Sequence, residues 1–316
     1  VITEAQIFLT RKCNLNCGYC KLVENKKLKD LSLEEWVKAY SIMEKLGIKT
    51  VKLMGGEPTV KKWLPELLKK ATIKTAILSN SVFNEKTKNE IANAVPYGYF
   101  ASVDSLSSLN EFKDPVKKSI SGYAMLKSLK DSKIPILAAN VVINKYNYKE
   151  VPEIAQRLSD EGFYVNLCMV QHTNNSDKEF SKTNIKKSYI FTNEDKEELK
   201  KLSKKLLKMK RRGVKISVPE SYIKNMVKFG IHCNWKCKRP SQLRIDADGG
   251  LMLCNEYRTR LANDYNILDM TKSKYKDFLK QWKKVRKQVD CDGCYWSCFI
   301  QSEDNLKNKK LEFHYA

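Results

Sequence analysis

An α/β fold, a parallel sheet covered by helices, is what three features of this sequence predict. Short apolar runs alternate with amphipathic runs between residues 5 and 170 and give six strand–helix repeats. Repeats of that kind place helical crossovers between parallel strands, so the helices cover the sheet. The residues with the clearest chemistry, around Cys13 and around Gly55, each follow directly on a strand. In parallel β/α folds the functional groups gather at the carboxyl ends of the strands.

The run Ala5-Gln6-Ile7-Phe8-Leu9-Thr10 reads as the first strand. A helix follows over 33–46, opened by a capping box of Ser32 and Glu35 and closed by Gly47. Thr50-Val51-Lys52-Leu53-Met54 reads as a buried second strand. The pattern then gives a short helix at 64–70, a strand at 75–78, a helix at 85–94 and a strand at 99–103. A helix around 114–130, a strand at 136–143, a helix at 151–161 and a strand at 163–170 complete the repeats. The polar stretch 172–187 reads as a loop with little order. Beyond it, Leu199, Leu202, Leu206 and Met209 recur at helical spacing over 193–211, with lysines opposite and Gly213 after the last turn. A strand-like run at 214–218 leads into a cysteine-rich region. The expected organisation is 1–190 for the sheet unit, 191–230 for a connecting helix and strand, and 231–316 for a small metal-bearing unit.

Cys13, Cys17 and Cys20 form a C-x3-C-x2-C loop at the end of the first strand. Three thiolates on one loop can hold three irons of a cubane [4Fe–4S] cluster, leaving the fourth iron open to a substrate or cofactor. Gly18 lets the chain turn tightly there. Structural zinc wants four ligands and no histidine is near, so zinc fits this loop less well. A disulfide set or a chance spacing stays open on the loop alone.

The second strand runs into Gly55-Gly56-Glu57-Pro58, where two glycines expose backbone groups to close approach and Pro58 stiffens the exit. In this order and on these elements, the cysteine loop and the Gly-Gly-Glu-Pro turn resemble the signature of the radical S-adenosylmethionine (SAM) superfamily. The resemblance implies a partial (β/α)6 TIM-like barrel. It implies a [4Fe–4S] cluster on Cys13, Cys17 and Cys20 whose open iron binds the amino and carboxylate groups of SAM. Tyr19 would lie against the adenine side, and Gly55, Gly56, Glu57 and Pro58 would meet the methionyl amine. Ser79 and Asn80 match a family Thr-Asn-Gly segment near the ribose and carboxylate, although Ser81 stands where that segment has glycine. Ser102 and Asp104 match a Ser-x-Asp segment after the fourth strand, and Asn140 and Asn144 flank the end of the fifth. An external one-electron reductant of flavodoxin or ferredoxin type is implied as a partner.

Six further cysteines follow: Cys233, Cys237, Cys254, Cys291, Cys294 and Cys298. Asp248-Gly249-Gly250 is a hairpin signal between 242–246 and 251–253, and the hairpin carries Cys254 back towards Cys237. The pair Cys291-x2-Cys294 comes after a helix around 275–289. Two such pairs make a four-sulfur site for zinc or for a cluster. The spacing Cys237-x11-Gly249-x4-Cys254, followed by Cys291-x2-Cys294, resembles the SPASM and twitch extensions of radical SAM enzymes. It implies a small C-terminal α+β iron–sulfur domain with at least one auxiliary [4Fe–4S] cluster on Cys237, Cys254, Cys291 and Cys294. Cys298 or Cys233 would replace one of these or serve a second, incompletely ligated cluster.

Nine of the ten cysteines fall into these terminal groups, and only Cys168 stands apart, where it reads as a core residue. That distribution belongs to metal sites in a reducing compartment, so a cytoplasmic location is expected. No apolar stretch reaches the roughly 20 residues that span a bilayer, and no signal peptide precedes Val1. The net charge of +23 raises RNA as a partner, but the excess is mostly lysine spread along the chain, which is the pattern of a solvated surface.

The resemblance implies an oxidoreductase. SAM is cleaved reductively to a 5′-deoxyadenosyl radical, a substrate hydrogen is abstracted, and the substrate electron passes to the auxiliary cluster. The substrate would be a peptide side chain or a small polar metabolite. A peptide would be bound directly or brought by a separate recognition protein. A radical SAM enzyme that modifies RNA is the second reading, and a non-enzymatic iron–sulfur or zinc protein is the third. The molybdopterin-pathway cyclases of the superfamily carry a C-terminal Gly-Gly tail, whereas these residues end Phe313-His314-Tyr315-Ala316, so the expectation points away from that branch. No catalytic acid or base is assigned; Asp104 and Tyr222 are the candidates.

Overall fold

All seven residues of β1 (Glu4–Thr10) are buried, which the apolar run Ile7-Phe8-Leu9 requires of a strand with neighbours on both edges. A computed structural model describes residues 2–22, 28–106 and 119–308. After β1 come α1 (Leu33–Lys45), β2 (Thr50–Gly55), α2 (Leu64–Lys70), β3 (Lys74–Ser79), α3 (Glu85–Ala94) and β4 (Gly98–Ser102). Then follow α4 (Ser119–Ser128), β5 (Ile136–Ile143), α5 (Val151–Asp160) and β6 (Tyr164–Met169). Each helix is a crossover, so every strand pair is parallel.

Local chemistry sets the helix ends. Ser32 and Glu35 form the expected capping box of α1, and Gly47 takes a φ of +89° after its last turn. Trp36, Tyr40 and Met43 are buried on one face of α1, each contributing about 1.5–3 kcal/mol of burial. The expected helix around 114–130 begins outside the described residues, and its described part is α4.

The sheet has a seventh strand, β7 (Leu243–Ile245), in the order β6-β5-β4-β3-β2-β1-β7. The sequence reading placed these residues only in a hairpin of the cysteine-rich region. They do turn back at 246–250, where Asp246 and Gly250 exchange a backbone hydrogen bond of 2.9 Å, but Leu243, Arg244 and Ile245 also pair in parallel with Ala5, Gln6 and Ile7. β1 had an unpaired edge, and three apolar or amphipathic residues fill it. The sheet is thus an open, partial barrel carrying strands from both ends of the chain.

Two expectations are corrected. The run 214–218 contracts to one parallel bridge from Ile216 to Val165, because the Ile216 amide turns back to the Val214 carbonyl at 2.7 Å. The stretch 172–187 is not a loose loop: Thr173, Lys178 and Ser181 are buried and bonded on both sides, as described below. The connecting helix is α6 (Lys196–Arg211), followed by α7 (Glu220–Lys224) and a π-helical turn at Met226–Gly230. After β7 come α8 (Leu261–Asp264), α9 (Lys272–Gln288) and α10 (Ser297–Asn308). No helix among the described residues is long and apolar enough to cross a membrane.

Candidate active site

The cysteine loop is seated on the Gly-Gly turn by backbone bonds. The Gly56 amide donates to the Thr10 carbonyl at 2.8 Å, and the Glu57 amide donates to the Lys12 carbonyl at 2.9 Å. A Cβ at Gly55 would lie 2.2 Å from Thr10 O, and one at Gly56 would lie 2.1 Å from Lys12 O. Only glycine permits that approach. These two glycines thus bring the two loops together, besides lining the cavity that the sequence reading expected them to face.

Glu57 is buried and ties two strand ends to each other. Its Oε1 accepts from Thr59 N, Thr59 Oγ1 and Ser79 Oγ at 3.1, 2.8 and 2.9 Å, and its Oε2 accepts from Asn80 N at 2.7 Å. Burial raises its pKa and these four bonds oppose the rise. Asn80 in turn donates to Asn14 Oδ1 at 2.8 Å and lies 3.8 Å from Cys13 Sγ. The end of β3 therefore steadies the first cysteine.

Arg11, beside the cysteines, is 1% exposed and holds three segments together. It forms a two-bond pair with Asp246, Nε to Oδ1 at 3.0 Å and Nη2 to Oδ2 at 2.6 Å, and a third bond to Glu179 at 2.7 Å. Arg258 also reaches Asp246, at 2.5 Å. The 172–182 segment continues the connection. Lys21 Nζ donates to the carbonyls of Ser176 and Lys178 at 2.6 and 2.7 Å. Glu256 accepts from Ser181 N, Ser181 Oγ and Trp296 Nε1 at 2.9, 2.6 and 2.6 Å. Lys178 Nζ pairs with Asp292 at 2.6 Å and bonds the Gly293 carbonyl, both between Cys291 and Cys294. One strap thereby touches the first cysteine loop and the last cysteine pair.

Around this frame lies a cavity lined by all three cysteines of the loop. Tyr19, Gly55, Gly56, Glu57, Ser79, Asn80 and Ser102 also line it. Asn140 and Asn166 from β5 and β6 share a 2.6 Å bond in its wall, and Asn255 donates to Gln6 at 3.3 Å. Gln171, Phe180, Trp296 and Cys168 add to the lining. Among the described lining residues there is no lysine or arginine.

Four of the sequence candidates stand back from the cavity. Pro58 opens a 3-10 turn behind Glu57. Asp104 accepts from Tyr19 Oη at 3.2 Å and from the Val142 amide at 2.8 Å. Burial, then the charge of Asp104, holds the Tyr19 phenol well above its ordinary pKa. Asn144 caps the turn after β5, accepting from Tyr146 N at 2.9 Å. Tyr222 is buried, stacked on Tyr295 at 4.5 Å between centroids, with its oxygen accepting from Met169 N at 2.7 Å.

A second, smaller cavity is lined by Cys237, Cys254, Cys291 and Cys294, with Trp282 and Arg286 beside them. The hairpin brings Cys254, and the end of α9 brings Cys291 and Cys294. Burial pushes the Cys254 thiol up to about 12 and raises Cys237 and Cys294 as well. Buried thiols in that state become ligands when a cation takes the place of their protons. Four thiols facing one cavity are the donor set of a four-sulfur site, although no three or more His, Cys, Asp or Glu among the described residues are grouped closely enough to hold a single metal ion. Cys298 lies elsewhere, on the wall of the large cavity. Cys233 is buried with its sulfur near the Val170 and Gly230 carbonyls, each at 3.6 Å.

The residues that the sequence reading missed are those of the frame: Arg11, Lys178, Glu179, Asp246 and Glu256. Nothing marks Lys178 among the many lysines. Arg11 carried a faint signal, as one of few arginines and next to the cysteines.

Comparison with known proteins agrees with this geometry. The model of the radical SAM superfamily matches residues 7–183, more than half of the chain. A probable GTP 3',8-cyclase of Thermococcus kodakarensis is 26% identical over 284 residues, covering 85% of this chain and 87% of the relative. Among solved structures, SuiB of Streptococcus suis bound to its precursor peptide SuiA superposes with a TM-score of 0.61 at 17% identity. The match covers 89% of this chain but 64% of SuiB, less than two thirds of that protein. The structure of anSMEcpe with bound AdoMet and a peptide gives a TM-score of 0.65 at 17% identity, covering 96% of this chain and 95% of that one. The cyclase relative stands against the expectation drawn from Phe313 to Ala316, which lie outside the described residues.

Proposed function

Since the chain belongs to the radical SAM superfamily, we propose that it uses the large cavity to oxidise a neutral polar substrate and the small cavity to collect the electron. The superfamily's cofactors are a [4Fe–4S] cluster and SAM, which together supply a carbon radical that abstracts hydrogen, and an external one-electron donor is needed to begin. Cys13, Cys17 and Cys20 would hold that cluster, and a flavodoxin or ferredoxin would be the donor.

The chain's own residues do the positioning. Gly55 and Gly56 seat the cysteine loop, and Glu57 and Asn80 fix the strand ends beside Cys13. Phe180 and Trp296, 4.8 Å apart and edge to face, form part of the wall with the strap and α10 and keep water from the reacting centre. Each of the two amide pairs leaves one whole NH2 group and one carbonyl oxygen outside its shared bond, suited to hydroxyl, amide or amine groups of a substrate. A wall with no lysine or arginine among its described residues favours a peptide side chain or uncharged metabolite over a polyphosphate.

The observation that carries the reading is that the two cysteine sets line two separate cavities. Anaerobic reconstitution, iron analysis and reduction in the presence of SAM test it. About eight irons per chain with formation of 5′-deoxyadenosine is the expected result. About four irons would remove the electron acceptor, and intact SAM would remove the whole reading.

A second reading is favoured by the cyclase relative, whose match spans most of both chains: cyclisation of a purine nucleoside triphosphate. It predicts that GTP is consumed by the reconstituted enzyme, and the first reading predicts that GTP is left unchanged.

A further inference from the structure

Arg244 stands in the middle of β7, in register with Gln6 of β1. Register partners in parallel strands send their side chains to the same face, and Gln6 lines the large cavity. Arg244 therefore runs on the inner side of the sheet. It ends buried, 2% exposed, with its guanidinium 4.3 Å from the ring centre of Phe299 and Nη2 3.9 Å from Cys298 Sγ. Cys298 lines the large cavity and Phe299 the small one, so this cation sits in the partition between them.

Its Nε and Nη1 meet no acceptor among the described residues. An arginine stays charged in proteins, and a buried charge without a counter-charge is costly. The groups whose ionised forms would act on it are, in order, Cys298, Cys254 and Glu4. Glu4 comes last in that order and makes its own bonds to Ser302, at 2.7 Å, and to Gln242 rather than to the guanidinium. Cys254 belongs to the four-cysteine cavity, and a cubane held by four thiolates is a net anion.

We infer that Arg244, in addition to Arg286 on the cavity wall, is a counter-cation of a cluster on Cys237, Cys254, Cys291 and Cys294, and that its charge strengthens the hold of that cluster on the electron given up by the substrate. A positive charge in a buried partition favours the more negative, reduced state. The inference rests on the reading of the small cavity as an electron-accepting site.

The test uses the full chain with Cys13, Cys17 and Cys20 all changed to Ala, so that only the second set takes up iron. Its midpoint potential is read by EPR during a redox titration. Arg244→Gln removes the charge while keeping hydrogen-bonding groups, and the expected result is a tenfold weaker electron affinity, about 59 mV lower. Arg244→Lys keeps the charge and the native midpoint. An Arg244→Gln chain with native iron content and an unchanged midpoint overturns the inference. Where Arg244→Gln fails to take up iron, an Arg244→Lys chain that loads with the native midpoint supports it, and one that also fails to load overturns it. A parent chain that takes up no iron with Arg244 intact overturns it too, and shows that the reading of the small cavity failed first.

Discussion

Gly56 and Glu57 show how single residues set the site. At Gly56 the space for a Cβ is occupied by the Lys12 carbonyl at 2.1 Å, which is backbone and cannot swing aside. Gly56→Ala is expected to unseat the cysteine loop, so iron bound by the first set falls sharply while the second set keeps its iron; site-resolved iron analysis or EPR checks this. Glu57→Gln keeps the shape but turns an amide NH2 towards either the Asn80 amide or the Ser79 and Thr59 donors. One buried donor then loses its acceptor, costing about 1–3 kcal/mol. A thermal or denaturant unfolding curve of the variant should move by that amount, and an unmoved curve would show that Glu57 does not tie the strands.

At the scale of elements, the crossovers and their caps were legible because each depends on local pattern. Ser32 and Glu35, the apolar period of α1 and the Gly-Gly turn after β2 all act within a few residues of themselves. β7 and the strap were not legible for the opposite reason. β7 is three residues long and is held by an edge of β1 more than 230 positions away. The strap is polar in sequence because its polar groups pair across the chain: Lys178 with Asp292, Glu179 with Arg11, Ser181 with Glu256. A single sequence shows the groups but not their partners. The cysteines fall between these cases: the resemblance grouped Cys237, Cys254, Cys291 and Cys294 as ligands with Cys298 or Cys233 as a replacement, and the fold puts those four on one cavity and Cys298 on the other. The strap makes its own prediction. Lys178→Met removes the ion pair to Asp292 and the bond to the Gly293 carbonyl. Hydrogen exchange across residues 172–182 should rise, and iron bound by the last cysteine pair should fall. Unchanged exchange would show that the strap is held by its apolar contacts alone.

Over the whole molecule, the two cysteine sets are kept in separate cavities. Cys13, Cys17 and Cys20 share a cavity with the Gly-Gly turn and the amide wall, while the four later cysteines share another. Strap, hairpin and α10 run between the two, and Arg11, Glu256 and Lys178 fasten them into one frame. If the second set only stapled the C-terminal part, its loss would loosen that frame and lower every activity together. If it receives the substrate electron, its loss uncouples the steps. Cys254→Ala is then expected to remove about four irons and to leave SAM cleavage largely intact, while oxidised product disappears. Cys17→Ala should abolish both. The two enzymes are compared by counting 5′-deoxyadenosine and product in the same reaction, since the ratio distinguishes uncoupling from general damage. A Cys254→Ala enzyme that keeps the native ratio would return the second site to a structural role.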